Sequence, residues 1–142
     1  MQQKNTILSH SEAETAELAR KLAFQLRPGD VLLLRGELGA GKSIFARALI
    51  QSLCGPETVV PSPTFTLVQT YETSNYTLWH FDLYRLNHPD EIFELGIEEA
   101  LKRGVCLIEW PERLGPHLPK TYREIELKYG SQHNERLITI KE

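Results

Sequence analysis

The segment from Gly36 to Ser43 constrains this chain more than any other stretch. It reads GELGAGKS and lies between the apolar run VLLL, residues 31–34, and a helical pattern that begins near Lys42. The segment satisfies the pattern G-x-x-x-x-G-K-[ST], in which glycines let successive backbone N–H groups surround an anion without a Cβ atom in the way. Because a strand before and a helix after are the context that this motif requires, the segment predicts a phosphate-binding loop, the P-loop.

The chemistry of this loop assigns a task to each part of it. The helix that starts near Lys42 directs its N-terminal dipole and free N–H groups at the bound anion. Lys42 brings its charge to the β- and γ-phosphates, and the hydroxyl of Ser43 can ligate the Mg²⁺ that bridges them. The sequence therefore predicts a site for a nucleoside triphosphate with Mg²⁺. The predicted contacts are Glu37, Leu38, Gly39, Ala40, Gly41, Lys42, Ser43 and Ile44.

Two carboxylates are candidates to complete such a site, which needs an acid at the end of a buried strand to hold Mg²⁺ or orient the attacking water. Asp82 follows TLWHF, and Glu109 follows VCLI, with a proline soon after it. The four apolar residues favour Glu109 for the metal, but either acid can be an ordinary strand-end residue, and their division of roles stays open. Together with Lys42 they are the predicted catalytic residues. His80, on the strand face of Asp82, is interpreted as a packed, hydrogen-bonded residue.

The segment PSPTFT, residues 61–66, lies between the second predicted helix and the next strand. Its two prolines make it stiff. Its hydroxyls could reach a γ-phosphate or its metal, as those of switch loops do. A rigid turn that binds nothing is the simpler interpretation from these residues alone.

Helical and strand patterns alternate early in the chain, and strands pair up later. Ser11 and Glu14 form a capping box before a helical stripe that includes Leu26 and ends at Pro28 and Gly29. Strands are predicted at 31–34, 66–71, 76–84, 105–110, 123–129 and 136–140, and further helices at 42–53 and from Pro89 to about Arg103, with Gly96 as a candidate break. The fold class is therefore a three-layer α/β, P-loop NTPase-like domain, with a mixed, largely parallel central sheet plus antiparallel strands. We expect a single domain over residues 1–142.

Composition and charge exclude several classes of protein. The formal net charge is −3 and no run of Lys and Arg occurs, so tight direct binding to nucleic acid is not predicted. No apolar run approaches the roughly 20 residues of a membrane span, and no secretory signal is visible, which favours the cytoplasm. Cys54 and Cys106 have no partner at metal-ligand spacing, and we expect them to be buried, reduced thiols.

Four motifs in one order resemble the TsaE family, small bacterial P-loop ATPases needed to make threonylcarbamoyladenosine in tRNA. They are the P-loop, SPTFTLV, HFDLYRL and LIEWPE, and the match runs from about Thr15 to Glu112, with weaker similarity in the closing strands. The resemblance implies that the chain binds ATP and Mg²⁺ and acts with a TsaB–TsaD pair, in which TsaD transfers the threonylcarbamoyl group to an adenosine beside the anticodon. The ATPase would reset that complex between turnovers and meet tRNA only through it.

The resemblance also implies roles for individual residues. Ser43 and Glu109 would lie on magnesium, and Asp82 would be functionally important. The other implied contacts are Ser62 and Thr64 in a switch-like loop, and Thr15 and Arg136 at the nucleotide. One departure is visible, because the family more often has Thr where this chain has Ser43. Both residues offer one hydroxyl, so magnesium binding should survive.

Three other functions fit a P-loop. A small-molecule kinase is the main alternative, although no arginine-rich lid segment follows the core. A GTPase-type switch is disfavoured because the Asn-Lys-x-Asp guanine motif is absent. A nucleotide-binding module without catalysis stays open. For the ATPase we expect weak hydrolysis by the chain alone and stimulation by its partners.

Overall fold

The structure is a computed structural model that describes residues 4–142. Its strands are β1 (Lys4–Ser9), β2 (Val31–Gly36), β3 (Val68–Glu72), β4 (Thr77–Asp82), β5 (Val105–Glu109), β6 (Arg123–Tyr129) and β7 (Arg136–Lys141). Its α-helices are α1 (Glu12–Ala23), α2 (Lys42–Cys54) and α3 (Ile97–Arg103), and 3₁₀ segments cover Pro89–Leu95 and Pro111–His117. No helix within this described part is long and apolar enough to cross a membrane.

The strands form one seven-stranded sheet in the order β1-β7-β6-β2-β5-β4-β3. The four central neighbours β6, β2, β5 and β4 are mutually parallel, and β3, β7 and β1 pair antiparallel with their neighbours. The sheet is thus mixed, with a parallel centre, as predicted. Strand β1 was not predicted, because most of its side chains are exposed and its place at the sheet edge depends on backbone pairing with β7.

Side-chain alternation along the strands separates the core into two layers. Leu32 and Leu34 on β2 face helices α1 and α2, whereas Val31 and Leu33 point to the opposite face, which α3 and the 3₁₀ segments cover. The resulting three-layer α/β architecture confirms the predicted fold class.

The predicted helix boundaries need three corrections. Helix α1 ends at Ala23, so Leu26 is buried in the turn that follows and not in the helix. The side chain of Ser11 accepts a bond from the N–H of Glu14, but the Glu14 carboxylate lies near the N–H of His10, so only half of the capping box forms. The predicted helix from Pro89 to Arg103 does divide at its candidate break, Gly96, and the third correction is that its first part, Pro89–Leu95, is a 3₁₀ segment.

Gly96 divides that stretch for a steric reason. Its φ is +88°, and a Cβ atom there would lie 2.8 Å from the ring of Trp79. A 3₁₀ segment precedes it and α3 follows it. The chain therefore turns at the only residue type that tolerates both the dihedral angle and the close aromatic ring.

Candidate functional site

Three parallel strands end at one edge of the sheet. In its register, Leu34 on β2 lies beside Glu109 on β5, and Glu109 lies beside Asp82 on β4. Open α/β sheets bind their ligands outside the carboxyl ends of the strands. The two predicted carboxylates are therefore neighbours, next to the loop that follows β2.

The backbone of that loop fits an anion. Gly39 and Gly41 have φ of +82° and +108°, in the region that favours glycine. A Cβ atom on Gly39 would lie 2.7 Å from the hydroxyl oxygen of Tyr129, and that hydroxyl donates to the carbonyl oxygen of Leu38 at 2.8 Å. Gly41 is the N-cap of α2, and no side chain of the described residues caps this helix. Its first N–H groups are therefore available to a phosphate group.

Lys42 carries the clearest sign of an anion-binding site. Its side chain is buried, with 6% of the residue exposed, and its ammonium finds no hydrogen-bond partner within residues 4–142. The nitrogen lies 3.7 Å from the centroid of the Trp110 ring. Burial lowers the pKa of Lys42, and the negative charges of Glu109 and Asp82 offset part of that effect. Because a buried ammonium without an acceptor is costly, an anionic oxygen in this region would be strongly favoured.

Asp82 is tied to the loop that the sequence interpreted as a switch or a rigid turn. Its Oδ2 accepts a bond from the Thr64 hydroxyl at 3.0 Å, and its Oδ1 accepts one from the backbone N–H of Tyr84 at 3.1 Å. The hydroxyls of Ser62 and Thr64 lie 2.7 Å apart. A chain of polar contacts thus runs from the loop to the carboxylate at the end of β4.

Glu109 is held differently. Its Oε2 lies 2.6 Å from Nε2 of His80, and both side chains are buried. Its Oε1 accepts no hydrogen bond from the protein within the described chain. Both oxygens of Asp82 are engaged, whereas one oxygen of Glu109 remains available to a ligand. The sequence predicted a hydrogen-bonded His80 but offered no signal that its partner would be Glu109.

Two residues that flank the site have positive φ angles, which residues other than glycine rarely adopt. Leu67 has φ of +69° and Trp110 has φ of +58°, and they are the two such residues between positions 4 and 142. Leu67 ends the loop at 61–67 and accepts a backbone bond from Asp82 at 3.0 Å. Such strained residues concentrate at ligand clamps and switch regions.

A cavity of about 200 Å³ joins the predicted phosphate, metal and switch residues. It is lined by Leu38, Gly39, Gly41, Lys42, Ser43, Ile44, Ser62, Thr64, Asp82, Glu109 and Trp110. Trp110 is the lining residue that the sequence did not predict, because a tryptophan after a buried strand is most simply explained by packing.

The remaining predicted residues lie around this cavity. Thr15 from α1 and Arg136 from β7 line an adjoining cavity of about 220 Å³, which shares Gly39, Gly41 and Ile44 with the first. Ala40 and Glu37 line neither of these two cavities. The Ala40 side chain is buried in the core and its N–H donates to the Glu37 carbonyl at 3.1 Å, whereas Glu37 lines a cavity of about 590 Å³ on the side of Arg35 and Glu126. Their predicted contact with a nucleotide therefore has the least support.

The donor set fits a magnesium ion brought by a nucleotide. Within residues 4–142 no group of three or more His, Cys, Asp or Glu side chains could hold a metal on its own. Mg²⁺ in nucleotide sites characteristically takes one or two protein ligands, with phosphate oxygens and waters completing the octahedron. Ser43 and Glu109, which line the same cavity, match that pattern.

The glycine-containing loop lies between a buried parallel strand and a helix, at the carboxyl ends of the strands in a three-layer α/β domain. This arrangement places the chain in the P-loop class of nucleotide-binding domains. Its sequence matches the family model described as "Threonylcarbamoyl adenosine biosynthesis protein TsaE" over residues 9–138. The chain belongs to the TsaE family, whose role lies in the biosynthesis of threonylcarbamoyladenosine in tRNA. The match includes the closing strands, where the resemblance seen in the sequence is weaker.

Individual relatives agree with the family assignment. The chain is 48% identical over 134 residues to the tRNA threonylcarbamoyladenosine biosynthesis protein TsaE of Rickettsia felis, covering 94% of this chain and 78% of the relative. It is 39% identical over 128 residues to the protein of that name from Bacillus subtilis, covering 89% and 78%. The crystal structure of YdiB from Bacillus subtilis superposes with a TM-score of 0.79 at 32% identity, covering 99% of this chain and 86% of YdiB. The predicted family is therefore confirmed.

Proposed function

We propose that this chain is a Mg²⁺-dependent ATPase that acts on a TsaB–TsaD type complex and resets it between rounds of tRNA modification. The observation that carries the proposal is the buried ammonium of Lys42, which has no acceptor among residues 4–142 and lies beside a helix N-terminus that no side chain of those residues caps. A triphosphate would satisfy both groups at once. The family role in threonylcarbamoyladenosine biosynthesis supplies the biological setting.

The residues of the cavity divide the work between phosphate and metal. The N–H groups at the start of α2 and the ammonium of Lys42 bind the phosphates and exclude water from their charged oxygens. Ser43 and Glu109 would hold Mg²⁺, which when bound neutralises the charge that develops on the transferred phosphoryl group. We assign the metal to Glu109 and not to Asp82 because one oxygen of Glu109 has no hydrogen-bond partner among the described residues, whereas both oxygens of Asp82 accept hydrogen bonds.

Asp82 then acts through the loop at 61–67. Its carboxylate accepts a hydrogen bond from Thr64, and Thr64 in turn contacts Ser62, so the loop hydroxyls line the cavity that would hold the γ-phosphate. Loss of that phosphate would remove the ligand that these hydroxyls meet, which is how switch loops report hydrolysis. We propose that the loop communicates the nucleotide state to the partner complex.

The nucleoside would occupy the adjoining cavity. Thr15 and Arg136 both line it, and it shares the P-loop glycines Gly39 and Gly41 with the phosphate cavity. The net charge of −3 accords with contact to tRNA only through the protein complex. We place this activity in the cytoplasm, where the family's tRNA modification would take place.

Calorimetric titration with ATP, with and without Mg²⁺, tests the proposal together with turnover assays. We expect binding in both conditions, slow phosphate release by the chain alone, and faster release when TsaB and TsaD are added. Repeated rounds of tRNA modification should need the ATPase. No effect of TsaB and TsaD on turnover would contradict the proposal, and phosphate transfer to a nucleoside or a small alcohol would favour the kinase alternative.

A further inference from the structure

His80 is a buried titratable residue to which the proposed function assigns no task. On β4 it lies two residues before Asp82, and Asp82 is the register partner of Glu109 on β5. Because side chains alternate along strands, His80, Asp82 and Glu109 all point to the same face of the sheet. His80 therefore reaches diagonally across two neighbouring strands to the carboxylate that we assign to magnesium.

The contact is short and enclosed. Nε2 of His80 lies 2.6 Å from Oε2 of Glu109, and the two side chains are 3% and 8% exposed. An ionised carboxylate can only accept, so Nε2 carries the proton and donates it. Nδ1 of His80 has no partner within residues 4–142. A proton on Nδ1 would be a buried donor without an acceptor, so the geometry favours the neutral Nε2–H tautomer.

We propose that His80 is a positioning residue that orients the Glu109 carboxylate for magnesium, an inference that rests on the proposed function. The hydrogen bond fixes Oε2 and leaves Oε1 as the oxygen that can meet the metal. Hydrogen bonds to a metal-ligating carboxylate hold it in place, and their loss typically weakens metal affinity by about 10- to 100-fold. His80 itself would touch neither the nucleotide nor the ion.

Amide variants separate positioning from packing. The side-chain nitrogen of Gln reaches about as far as Nε2 of a histidine, whereas that of Asn reaches only as far as Nδ1. His80→Gln should keep the donor to Glu109, and His80→Asn and His80→Leu should lose it. A matched control exists at the surface, where Nε2 of His117 lies 2.6 Å from Oδ1 of Asp90. His117→Leu removes a contact of the same length on a residue that lines neither nucleotide cavity.

The measured quantity is the affinity of Mn²⁺ for the protein bound to a nonhydrolysable ATP analogue, followed by electron paramagnetic resonance. We expect His80→Asn and His80→Leu to weaken it by about 10- to 100-fold, and His80→Gln to stay within about threefold of the unaltered chain. Affinity for ATP in EDTA should be unchanged in all of them, because the P-loop is intact. His117→Leu should leave both affinities unchanged.

A second readout needs no nucleotide. Nitrogen-15 spectra of the imidazole should show His80 protonated at Nε2 and bare at Nδ1, with the Nε2 proton shifted downfield and that shift lost in Glu109→Leu. The opposite tautomer would overturn the inference. So would wild-type Mn²⁺ affinity in both His80→Asn and His80→Leu, and if His80→Leu does not fold, equal affinities in the Asn and Gln variants would overturn it.

The same experiments separate this inference from the proposed function. A chain that binds no ATP in EDTA or in Mg²⁺ contradicts the proposed function, and the inference falls with it even when the spectra show the His80 hydrogen bond. A chain that binds ATP with Mg²⁺ normally, but whose Mn²⁺ affinity is insensitive to the donor at position 80, contradicts the inference alone.

Discussion

Two charged clusters lie on opposite faces of the same sheet, and only one of them is complete within the protein. In the first, the Glu124 cluster, Nε of Arg35 lies 2.7 Å from one oxygen of Glu124 and Nζ of Lys141 lies 3.2 Å from the other. In the second, the P-loop cluster of Lys42, Asp82 and Glu109, the cation has no hydrogen-bond partner within the described chain. A cluster that satisfies its own charges stabilises the fold, whereas one that does not implies a ligand.

The pKa directions agree with this distinction. Burial raises the pKa of Glu124, but the hydrogen bonds from Arg35 and Lys141 outweigh it, and the net pKa is lowered. For Lys42, the effect of burial is larger than that of the nearby carboxylates, so the pKa is lowered and the neutral amine is favoured relative to an exposed lysine. The surroundings of Glu124 therefore stabilise its charged carboxylate, whereas the surroundings of Lys42 destabilise its charged ammonium.

Replacing the cation of each cluster should have opposite consequences. Lys42→Met keeps the length of the side chain and removes the charge. We expect affinity for ATP with Mg²⁺ to fall by about 100-fold or more, because charge-assisted hydrogen bonds contribute about 1.5–3 kcal/mol each. The free energy of unfolding without nucleotide should stay constant or rise by up to about 2 kcal/mol, since a buried charge is removed. Calorimetry and urea denaturation measure the two quantities.

Lys141→Met is the matched control for that experiment. It removes one of the two cations beside Glu124, so it should destabilise the fold and leave ATP affinity within about twofold of the unaltered chain. Equal destabilisation by Lys42→Met and Lys141→Met would show that the Lys42 ammonium is structural, and the contrast between the clusters would fail.

Removing the anion of the complete cluster should have the next largest effect. Glu124→Gln leaves Arg35 and Lys141 beside each other without a carboxylate, and we expect the free energy of unfolding at pH 7 to fall by about 1–2 kcal/mol. This estimate is below that for a fully buried pair because both cations are partly exposed. Urea denaturation measures the change, and ATP affinity should not move.

The same substitution should alter the acid side of the stability profile. The folded-state pKa of Glu124 lies below its ordinary value of 4.5, so its stabilising contribution is present above that value and is lost as the pH falls through the lower, folded-state pKa. The unaltered chain should therefore lose stability on acidification below about pH 4.5 more steeply than Glu124→Gln. Parallel profiles for the two proteins would contradict the assignment.

The sequence could predict those parts of the site that depend on contiguous patterns. The P-loop, its flanking strand and helix, and Glu109 after VCLI are each read from a few neighbouring residues. The register that sets Asp82 beside Glu109 depends on which strands are neighbours, and side-chain periodicity does not encode strand order. The contact between His80 and Glu109 joins residues that are 29 positions apart on two strands. It could not be predicted for the same reason.

Two features of the fold escaped prediction for a different physical reason. Strand β1 buries little apolar surface, so it lacks the alternation that identifies a strand and depends on pairing with β7. The apolar stripe that extends to Leu26 predicted a longer helix. Helix α1 instead ends at Ala23, and Leu26 is buried although it lies in the turn that follows. Burial there is set by tertiary packing and not by helical periodicity.

A smaller effect should follow from uncoupling the loop at 61–67 from the P-loop cluster. Thr64→Val replaces the hydroxyl that donates to Asp82 by a methyl group of similar size. We expect partner-stimulated turnover to fall about tenfold, the equivalent of one hydrogen bond, and ATP affinity to fall by less than that, because the P-loop and Lys42 still bind the phosphates. Steady-state assays with TsaB and TsaD measure the first, and calorimetry the second.

Thr66→Val is the control within the same loop. The Thr66 hydroxyl accepts a bond from Gln69 and does not contact Asp82, so its removal should leave turnover unchanged. Equal losses in the two variants would mean that the loop responds to any lost hydroxyl, and that Asp82 does not act through Thr64.

The smallest effect should come from the exposed pair Asp90 and His117, whose contact of 2.6 Å equals that between His80 and Glu109. The hydrogen bond from His117 lowers the pKa of Asp90 below 3.8, so any stability it contributes is present above that value and disappears as the pH falls further. Because Asp90 is 68% exposed, water and salt screen the interaction. Asp90→Asn should therefore leave the melting temperature at pH 7 and the affinities for ATP and Mn²⁺ unchanged.

The absence of an effect in Asp90→Asn is informative when it is compared with the result for Glu124→Gln. If Asp90→Asn shifts the melting temperature as much as Glu124→Gln does, contact distance and not burial determines the strength of ion pairs in this chain. In that case the lack of an acceptor for Lys42 within residues 4–142 would not indicate a ligand, because burial would not determine how costly an unpaired charge is. If Asp90→Asn leaves the melting temperature unchanged and Lys42→Met strongly lowers ATP affinity, burial and not contact distance determines the strength of a charge's interactions. An unsatisfied buried charge is then a reliable sign of a ligand.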